Sequence, residues 1–296
     1  MGNDKIDIQA LALLVLRALA ERGRVGRNGK IEFDSPEKIQ RGKDMGEAIV
    51  YEVKDKIAWI IINRPERLNA FTPQSAQELG EAWLRFKSDE SAEVAIITGS
   101  GERAFSVGYE VSSETLTKSA AMASSVTVPT AHDIWKPTIA AIKGYCLAGG
   151  WWIAQECDLR VAAEDAEFGI TQVKWGLIPA FTATLSKVLS PGHALELLLT
   201  GERISAQRAL EMGFVNFVVP TDKVMERSTD LAKKVYSNAP LAVRKAKELF
   251  YKARSLDERA AMELTWKFFS ENESTDDFRE GVRAYLEKRK PVYHGK

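Results

Sequence analysis

The chain has 296 residues, and 45% of them are hydrophobic, which is enough to bury a full core. Its 41 Lys and Arg residues balance its 41 Asp and Glu residues, so no net charge favours a polyanion or an acidic membrane surface as a partner. The two cysteines are too few for a disulfide framework, and the three scattered histidines provide no metal-ligand spacing. The composition therefore predicts a cytoplasmic protein that needs no metal and binds no nucleic acid.

Residues 1–45 are predicted to form an extension that precedes the main domain. An apolar run over residues 8–20 has helical periodicity, but Arg17 interrupts it and it is too short to cross a bilayer. We expect an amphipathic helix that packs on this protein or on a sister subunit, followed by a linker over residues 22–46. Neither a signal peptide nor membrane insertion is expected.

Residues 46–225 alternate between β-type and helical runs, which predicts an α/β core. A helix is predicted over residues 73–87, with Thr72 as its N-cap. Residues 226–296 are predicted to be almost entirely helical, with a last helix over 276–290. The clearest predicted strands cover residues 48–53, 57–63, 94–100 and 137–145.

Two strand-to-loop junctions could carry chemistry: AFSVGYE at 104–110 and CLAGGWW at 146–152. Each places glycine after an apolar strand end, where a backbone N–H can approach a ligand without a Cβ in the way. The pair Gly149–Gly150 also opens a predicted helix, whose first N–H groups are unpaired. Two such N–H groups on one carbonyl oxygen would form an oxyanion hole, with each donor contributing about 3 kcal/mol. Plain glycine turns are the alternative.

Seven ordered blocks extend this pattern along residues 47–296, and together they resemble the crotonase (enoyl-CoA hydratase/isomerase) superfamily. The resemblance implies an α/β fold with a ββα-type spiral core and a helical C-terminal trimerisation region. The blocks are NRPERLNAF at 63–71, AFSVGYE at 104–110, KPTIAAIKGYCLAGG at 136–150, CDLRVAAEDAEFG at 157–169, GLIP at 176–179, LLLTGERISAQRALEMGFVNFVV at 197–219 and EGVRAYLEKRKPVYHG at 280–295.

The resemblance also implies a ligand, an acyl-CoA thioester whose carbonyl oxygen lies between the backbone N–H groups of Tyr109 and Gly149. An enolate could then form and collapse in this oxyanion hole. No tightly bound cofactor is expected, because coenzyme A enters as part of the substrate.

The same resemblance assigns the coenzyme A contacts to two regions. Arg67, Leu68 and Ala70 would hold the nucleotide, while Phe269 and Lys288 of a neighbouring subunit would reach adenine and phosphate. Such an arrangement requires at least a homotrimer, and hexamers are usual in the family.

Lys288, Arg289 and Lys290 form a basic run at the end of the last predicted helix. Positive charge there suits the phosphates of coenzyme A. For Arg289 and Lys290, the alternative is that they complement the dipole of their own helix.

The resemblance fails at the positions of the usual acids and bases. Resembled hydratases carry glutamates where Trp152 and Gln172 stand, and isomerase and dehalogenase relatives use an acid at the position of Ala180. Hydration needs both a base for water and an acid for the α-carbon, and none of these three residues can supply a proton at neutral pH. Conventional two-glutamate hydration is therefore not expected.

Other side chains near the glycine pair have open roles. Glu156 lies one helical turn beyond Trp152 and could be a catalytic carboxylate or a member of an ion pair. Trp152 is expected to line the site, and Trp151 to pack in the core. The Tyr109 phenol could donate a hydrogen bond in the pocket, and the Gln172 amide could orient a water or a substrate carbonyl. A structural role is favoured for Glu110, His132, Asp158 and Lys174, although His132 could also be a base.

These features support an acyl-CoA thioester-processing enzyme with non-standard acid and base groups. An atypical hydratase or a lyase or hydrolase that cleaves carbon–carbon bonds fits this class. A catalytically silent acyl-CoA-binding protein is the main alternative, because both glycine junctions are present while the three acids are missing. A scaffold that recruits a partner through the first helix is a third hypothesis.

Overall fold

The computed structural model describes residues 24–25, 31–32, 48–110 and 127–296. The helix predicted over residues 8–20 and most of the polar segment over 112–130 lie outside these residues. The chain divides into two units, Met1–Asp44 and Met45–Lys296.

The first unit contains a pair of short strands in the stretch predicted as a linker. Strands β1 (Arg24–Val25) and β2 (Ile31–Glu32) pair antiparallel, with Arg24 opposite Glu32. These four residues therefore form a strand pair within the segment predicted as a linker.

Two mixed sheets form the second unit. The larger has the strand order β12-β9-β7-β5-β4-β3, and the smaller has the order β11-β10-β8-β6. All pairings are parallel except β3–β4 and β10–β11. The strands are β3 Ile49–Lys54, β4 Ile57–Ile62, β5 Val94–Gly99, β6 Ala104–Ser106, β7 Thr138–Ile142, β8 Tyr145–Leu147, β9 Leu159–Ala163, β10 Glu167–Gly169, β11 Arg203–Ser205 and β12 Phe217–Val219.

From β5 to β10, consecutive strands alternate between the two sheets. In the pairs β5–β6, β7–β8 and β9–β10, the first strand joins the larger sheet and the second joins the smaller. The single strand predicted over 137–145 was wrong, because Gly144 has a φ of +58° and breaks it into β7 and β8. A Cβ at Gly144 would lie 2.2 Å from the Arg103 carbonyl oxygen, so only glycine fits where the chain changes sheets.

The helices largely follow the predictions. Thr72 caps the first helix, and its hydroxyl and that of Ser75 form a capping box. The last helix ends at Leu286, so its prediction to 290 was too long. The helices are α1 Pro73–Ser88, α2 Gly149–Glu156, α3 Thr182–Leu185, α4 Pro191–Thr200, α5 Ala206–Glu211, α6 Val224–Tyr236, α7 Pro240–Ala253, α8 Glu258–Glu273 and α9 Asp276–Leu286.

The basic run therefore lies beyond α9 and not in its last turn. Lys288 has a φ of +54°, and the Arg289 guanidinium pairs with the carboxylates of Glu280 and Glu287. A role for Arg289 and Lys290 in complementing the helix dipole from within the last turn is therefore excluded.

The core lies around the two sheets, and the C-terminal helices remain open on one side. Helix α7 has no fully buried residue, and α8 buries only Phe268. Large apolar side chains on these helices are exposed in the single chain. In the described part of the chain, no helix is long and apolar enough to cross a membrane. The exposed set is Phe250, Met262, Trp266, Phe269, Val282, Tyr285 and Leu286.

Candidate functional site

The candidate site lies at the carboxyl ends of three adjacent parallel strands of the smaller sheet. Strand β6 leads to Gly108, β8 leads to Gly149, and β10 leads to the 3-10 helix Thr171–Trp175. Gly169 pairs with Leu147, so the last two strands end side by side. Ligand sites in α/β proteins are commonly built at this edge, because the loops after parallel strands meet there.

The two glycine junctions meet in this place. Gly108 has a φ of +87°, and a Cβ on it would lie 2.5 Å from the Gly149 nitrogen. A Cβ on Gly149 would lie 3.7 Å from the Tyr109 nitrogen. The backbone N–H groups of Tyr109 and Gly149 are therefore neighbours, and within residues 48–110 and 127–296 neither has a hydrogen-bond acceptor.

Helix α2 starts at this point under local strain. Ala148 has φ +50° and ψ −112°, and its side chain makes no capping hydrogen bond. A Cβ on Gly150 would lie 2.2 Å from the Ser106 carbonyl oxygen, so the helix start packs directly on β6. The helix therefore presents uncapped N–H groups, at the positive end of its dipole, beside the glycine loop.

The turn that contains Arg67, Leu68 and Ala70 is joined to the same loop. The Phe71 N–H donates to the Gly108 carbonyl at 2.7 Å, and the Val107 N–H donates to the Leu68 carbonyl at 3.3 Å. The structure thus brings the predicted nucleotide segment directly beside the predicted oxyanion loop.

A buried polar network that the sequence analysis missed holds this turn. Asn69 is fully buried with a φ of +56°, and its amide donates to the carbonyls of Ser100 and Ala104. The Ser106 hydroxyl donates to the Asn69 carbonyl at 2.8 Å. Arg64 pairs with Glu110 at 2.8 Å, which gives Glu110 a structural role. The block NRPERLNAF contained the only sequence signal for this network.

The two tryptophans at the start of α2 have different environments. Trp151 is fully buried and stacks on Phe214, with ring centroids 3.9 Å apart. The prediction that it packs in the core is confirmed. Trp152 is half-buried, and its ring lies 5.7 Å from that of Phe181. Phe181 directly follows Ala180, the third acid position of the resemblance.

Two buried polar atoms near the site have no hydrogen-bond partner among the described residues: the Tyr109 hydroxyl and the Gln172 Oε1. Burial raises the pKa of the Tyr109 phenol above its usual value, so the phenol keeps its proton and acts as a donor. The Gln172 Oε1 is an acceptor. Buried polar atoms without partners are rare, so both invite a ligand or a water.

Glu156 lies at the far end of α2 from Gly149. Its carboxylate accepts hydrogen bonds from the hydroxyls of Thr130 at 2.7 Å and Thr184 at 3.1 Å, and from the Gln155 amide at 3.2 Å. The seven-residue separation from Gly149 corresponds to about 10 Å along the helix. The structure therefore does not bring Glu156 to the glycine pair, and no sequence signal predicted its threonine partners.

The remaining predicted contacts lie in the C-terminal region. Phe269 on α8 is 49% exposed and meets Trp266 edge to face, with centroids 6.1 Å apart. Lys288 is exposed just after α9. Asp158 is bound by Lys247 at 2.7 Å, which supports the structural role expected for that residue.

Comparison with known proteins identifies the family. The family described as enoyl-CoA hydratase/isomerase matches residues 52–296. The (E)-benzylidenesuccinyl-CoA hydratase of Thauera aromatica is 33% identical over 258 residues, covering 83% of this chain and 99% of that protein. The short-chain-enoyl-CoA hydratase of Clostridium acetobutylicum is 32% identical, covering 82% and 95%.

Solved structures agree with this match. The crystal structure of an enoyl-CoA hydratase from Bacillus anthracis superposes with a TM-score of 0.80 at 32% identity, covering 84% of this chain and 100% of that one. The chain belongs to the enoyl-CoA hydratase/isomerase family, whose members process acyl-CoA thioesters. Its two mixed sheets and C-terminal helices form the α/β crotonase fold, as predicted.

Proposed function

We propose that this protein is an acyl-CoA thioester-processing enzyme that stabilises a thioester enolate without the usual pair of glutamates. The observation that carries this proposal is the adjacency of the Tyr109 and Gly149 N–H groups at the carboxyl ends of parallel strands. A thioester carbonyl oxygen bound to both would be polarised, and the helix dipole of α2 would favour its developing negative charge.

The side chains around the oxyanion hole would bind and orient the acyl group, and they would not exchange protons with it. In our proposal, Trp152 takes one glutamate position and forms an apolar wall for the acyl group, while Gln172 takes the other and accepts a hydrogen bond. The Tyr109 phenol donates. A hydroxyl group or a water can pair with either unpartnered atom, since it accepts from the phenol and donates to the amide oxygen.

This set of groups favours reactions in which the substrate or a water carries the proton. An atypical hydratase, or a lyase or hydrolase that cleaves a carbon–carbon bond, fits these limits. Because Glu156 lies about 10 Å along α2 from Gly149, we assign it no proton transfer at the α-carbon.

We further propose that coenzyme A is part of the substrate and is held at its nucleotide end by Arg67, Leu68 and Ala70. Phe269 and Lys288 would act from a neighbouring subunit, so a homotrimer or hexamer is the functional unit. A cytoplasmic location is also proposed, since both cysteines are buried free thiols.

The test uses short enoyl, aromatic, alicyclic and β-keto acyl-CoA thioesters, with binding measured by calorimetry and turnover by mass spectrometry in the same samples. We expect turnover of at least one member. A Trp152→Glu/Gln172→Glu double variant should gain crotonyl-CoA hydration if these are the two glutamate positions, and Glu226→Gln is a surface control. Tight binding without turnover would favour the silent acyl-CoA-binding protein, and absence of any binding would refute the thioester site.

A further inference from the structure

Helix α2 offers a path away from the proposed thioester site. Trp152 and Glu156 lie one turn apart on one face of this helix. If the carbonyl oxygen of an acyl group binds at Gly149, as in the proposed function, this face would lie along one side of the acyl chain. The acyl chain would pass Trp152 first and reach Glu156 after about 10 Å.

A second row of side chains follows the same face. The Phe181 ring lies 5.7 Å from the Trp152 ring, and the Thr184 hydroxyl lies 3.1 Å from the Glu156 carboxylate. With increasing distance from Gly149, the two rows therefore present first an aromatic pair, Trp152 and Phe181, and then a polar pair, Glu156 and Thr184.

A cavity of about 480 Å³ opens at the polar pair. Its volume is within the range of small-molecule sites. Glu156 forms part of its wall together with Thr130, Trp135, Thr184, Phe250 and Tyr251.

The charges in this cavity disfavour a charged ligand. The charged residues of the wall are the carboxylates Asp133, Glu156 and Asp158 and the cations Arg160, Lys187, Lys247 and Arg254. Asp158 is already bound by Lys247 at 2.7 Å and by the Tyr251 hydroxyl at 3.2 Å. A second carboxylate would meet Glu156, and an ammonium group would meet the cations, so a neutral polar group fits best.

The Glu156 carboxylate can bind such a group. A carboxylate has about four lone-pair sites, and three hydrogen bonds to Glu156 are present. An apolar group at this point would displace water from the Glu156 carboxylate and would donate no hydrogen bond in its place. A hydroxyl group would donate one.

We propose that Glu156 is a specificity-determining residue that selects acyl groups with an apolar body and a hydroxyl group at the far end, about 10 Å from the thioester carbonyl. This inference rests on the proposed thioester site and names the class of acyl group that the site accepts. In this proposal, Glu156 binds the substrate and takes no part in the making or breaking of bonds.

The test compares 8-hydroxyoctanoyl-CoA with nonanoyl-CoA, which replaces the hydroxyl group with a methyl group. Affinities are measured by calorimetry, or as kcat/KM where turnover occurs, on the full chain. We expect the wild type to prefer the hydroxyl compound at least about tenfold. Glu156→Gln should reduce this ratio several-fold, and Glu226→Gln, an exposed surface change, should leave it unchanged.

Two further acyl-CoA probes distinguish a failure of the role of Glu156 from a failure of the proposed thioester site. Octanedioyl-CoA, with a distal carboxylate, should bind more weakly than the hydroxyl compound to the wild type and gain affinity in Glu156→Gln. Butanoyl-CoA is too short to reach Glu156 and should bind equally to all three proteins. Equal wild-type affinity for the hydroxyl and methyl compounds, or binding of butanoyl-CoA alone, would overturn the role of Glu156. Failure of butanoyl-CoA to bind would refute the proposed thioester site, and with it this inference.

Discussion

At Gly108, the missing side chain is what allows two backbone segments to meet. The positive φ and the 2.5 Å from a Cβ to the Gly149 nitrogen are separate constraints, since the first concerns the local backbone and the second concerns the neighbouring helix. Gly213 has a similar φ of +79° but nothing within 4 Å of its Cβ position. Substitution of Gly213 is therefore a control that measures the effect of backbone strain alone.

We expect Gly108→Ala to lower turnover of an acyl-CoA substrate at least about 100-fold, because the Cβ would push apart the two oxyanion donors. Gly213→Ala should lose only the stability that backbone strain costs, about 1 kcal/mol, and keep its turnover. Turnover by purified variants and urea unfolding would check both. Equal activity of the two variants would contradict the assignment of the oxyanion hole.

At Tyr109, the side-chain hydroxyl lowers the stability of the ligand-free protein. The buried hydroxyl has no partner among the described residues, so Tyr109→Phe should raise the free energy of unfolding by about 1 kcal/mol at pH 7. The same change should weaken binding of acyl-CoA, because the donor is lost. A loss of stability with unchanged affinity would show that the hydroxyl has a structural partner instead.

The pH dependence of stability tests the burial of this phenol. The folded pKa lies above the usual 10.0, so above about pH 10 the unfolded chain releases this proton while the folded chain keeps it. The free energy of unfolding should therefore fall as pH rises above 10, by up to about 1.4 kcal/mol per pH unit for this group. Tyr109→Phe should make that fall less steep.

Among the elements, helix α2 spans the proposed site, because it begins at the proposed oxyanion donor Gly149 and ends at Glu156. Its N-cap residue, Ala148, has a backbone conformation that favours glycine, with φ +50° and ψ −112°. Strain of this kind is often found at functional sites, where the surrounding structure imposes it. Here the strained residue directly precedes Gly149, and a Cβ on Gly150 would lie 2.2 Å from the Ser106 carbonyl oxygen.

Ala148→Gly should relieve this strain and raise the free energy of unfolding by about 1 kcal/mol, after allowance for the entropy of the added glycine. Chemical unfolding would measure the change. Activity should be retained, because the Gly149 N–H stays in place. Destabilisation by this substitution would mean that the methyl group of Ala148 makes a packing contribution larger than the strain.

Prediction from the sequence succeeded where local chemistry decides the structure. Thr72 before Pro73 specifies a helix start, and the glycine pair at 149–150 specifies a close backbone approach. Prediction failed where contacts with a segment distant in the sequence determine the structure. Gly144 breaks an apolar run because the Arg103 carbonyl crosses beside it, which no pattern in residues 137–145 reveals.

The candidate site shows the same division. The positions of Trp152 and Gln172 could be named from the blocks, but the unpartnered state of Gln172 Oε1 depends on how the 3-10 helix packs. The partners of Glu156 come from residues 130 and 184, which are far from it in the sequence. Tertiary packing alone brings them together.

The whole molecule has a C-terminal region whose apolar side chains are only partly covered in the single chain. Trp266 is 61% exposed, Tyr285 83% and Leu286 73%, which is a costly arrangement for an isolated subunit. Self-association would bury these side chains and would bring the Phe269 and Lys288 of one subunit towards another.

Light scattering should therefore give three or six times the chain mass of 32.9 kDa. A Trp266→Glu/Tyr285→Glu variant should dissociate to smaller species, since it places charge on the surface that would be buried. Trp175→Glu, at a 73% exposed position outside these helices, is the matched control. A monomeric wild type would contradict the proposed contribution of a neighbouring subunit to coenzyme A binding.

In the proposed function, the N–H groups of Tyr109 and Gly149 bind and polarise a thioester carbonyl. The most direct measurement is the vibrational frequency of a 13C-labelled thioester carbonyl, in an acyl-CoA bound to the wild type and to Gly108→Ala. We predict a shift to lower frequency in the wild type relative to the free ligand in water, and loss of that shift in the variant. A bound ligand whose carbonyl frequency equals that in water would contradict the account.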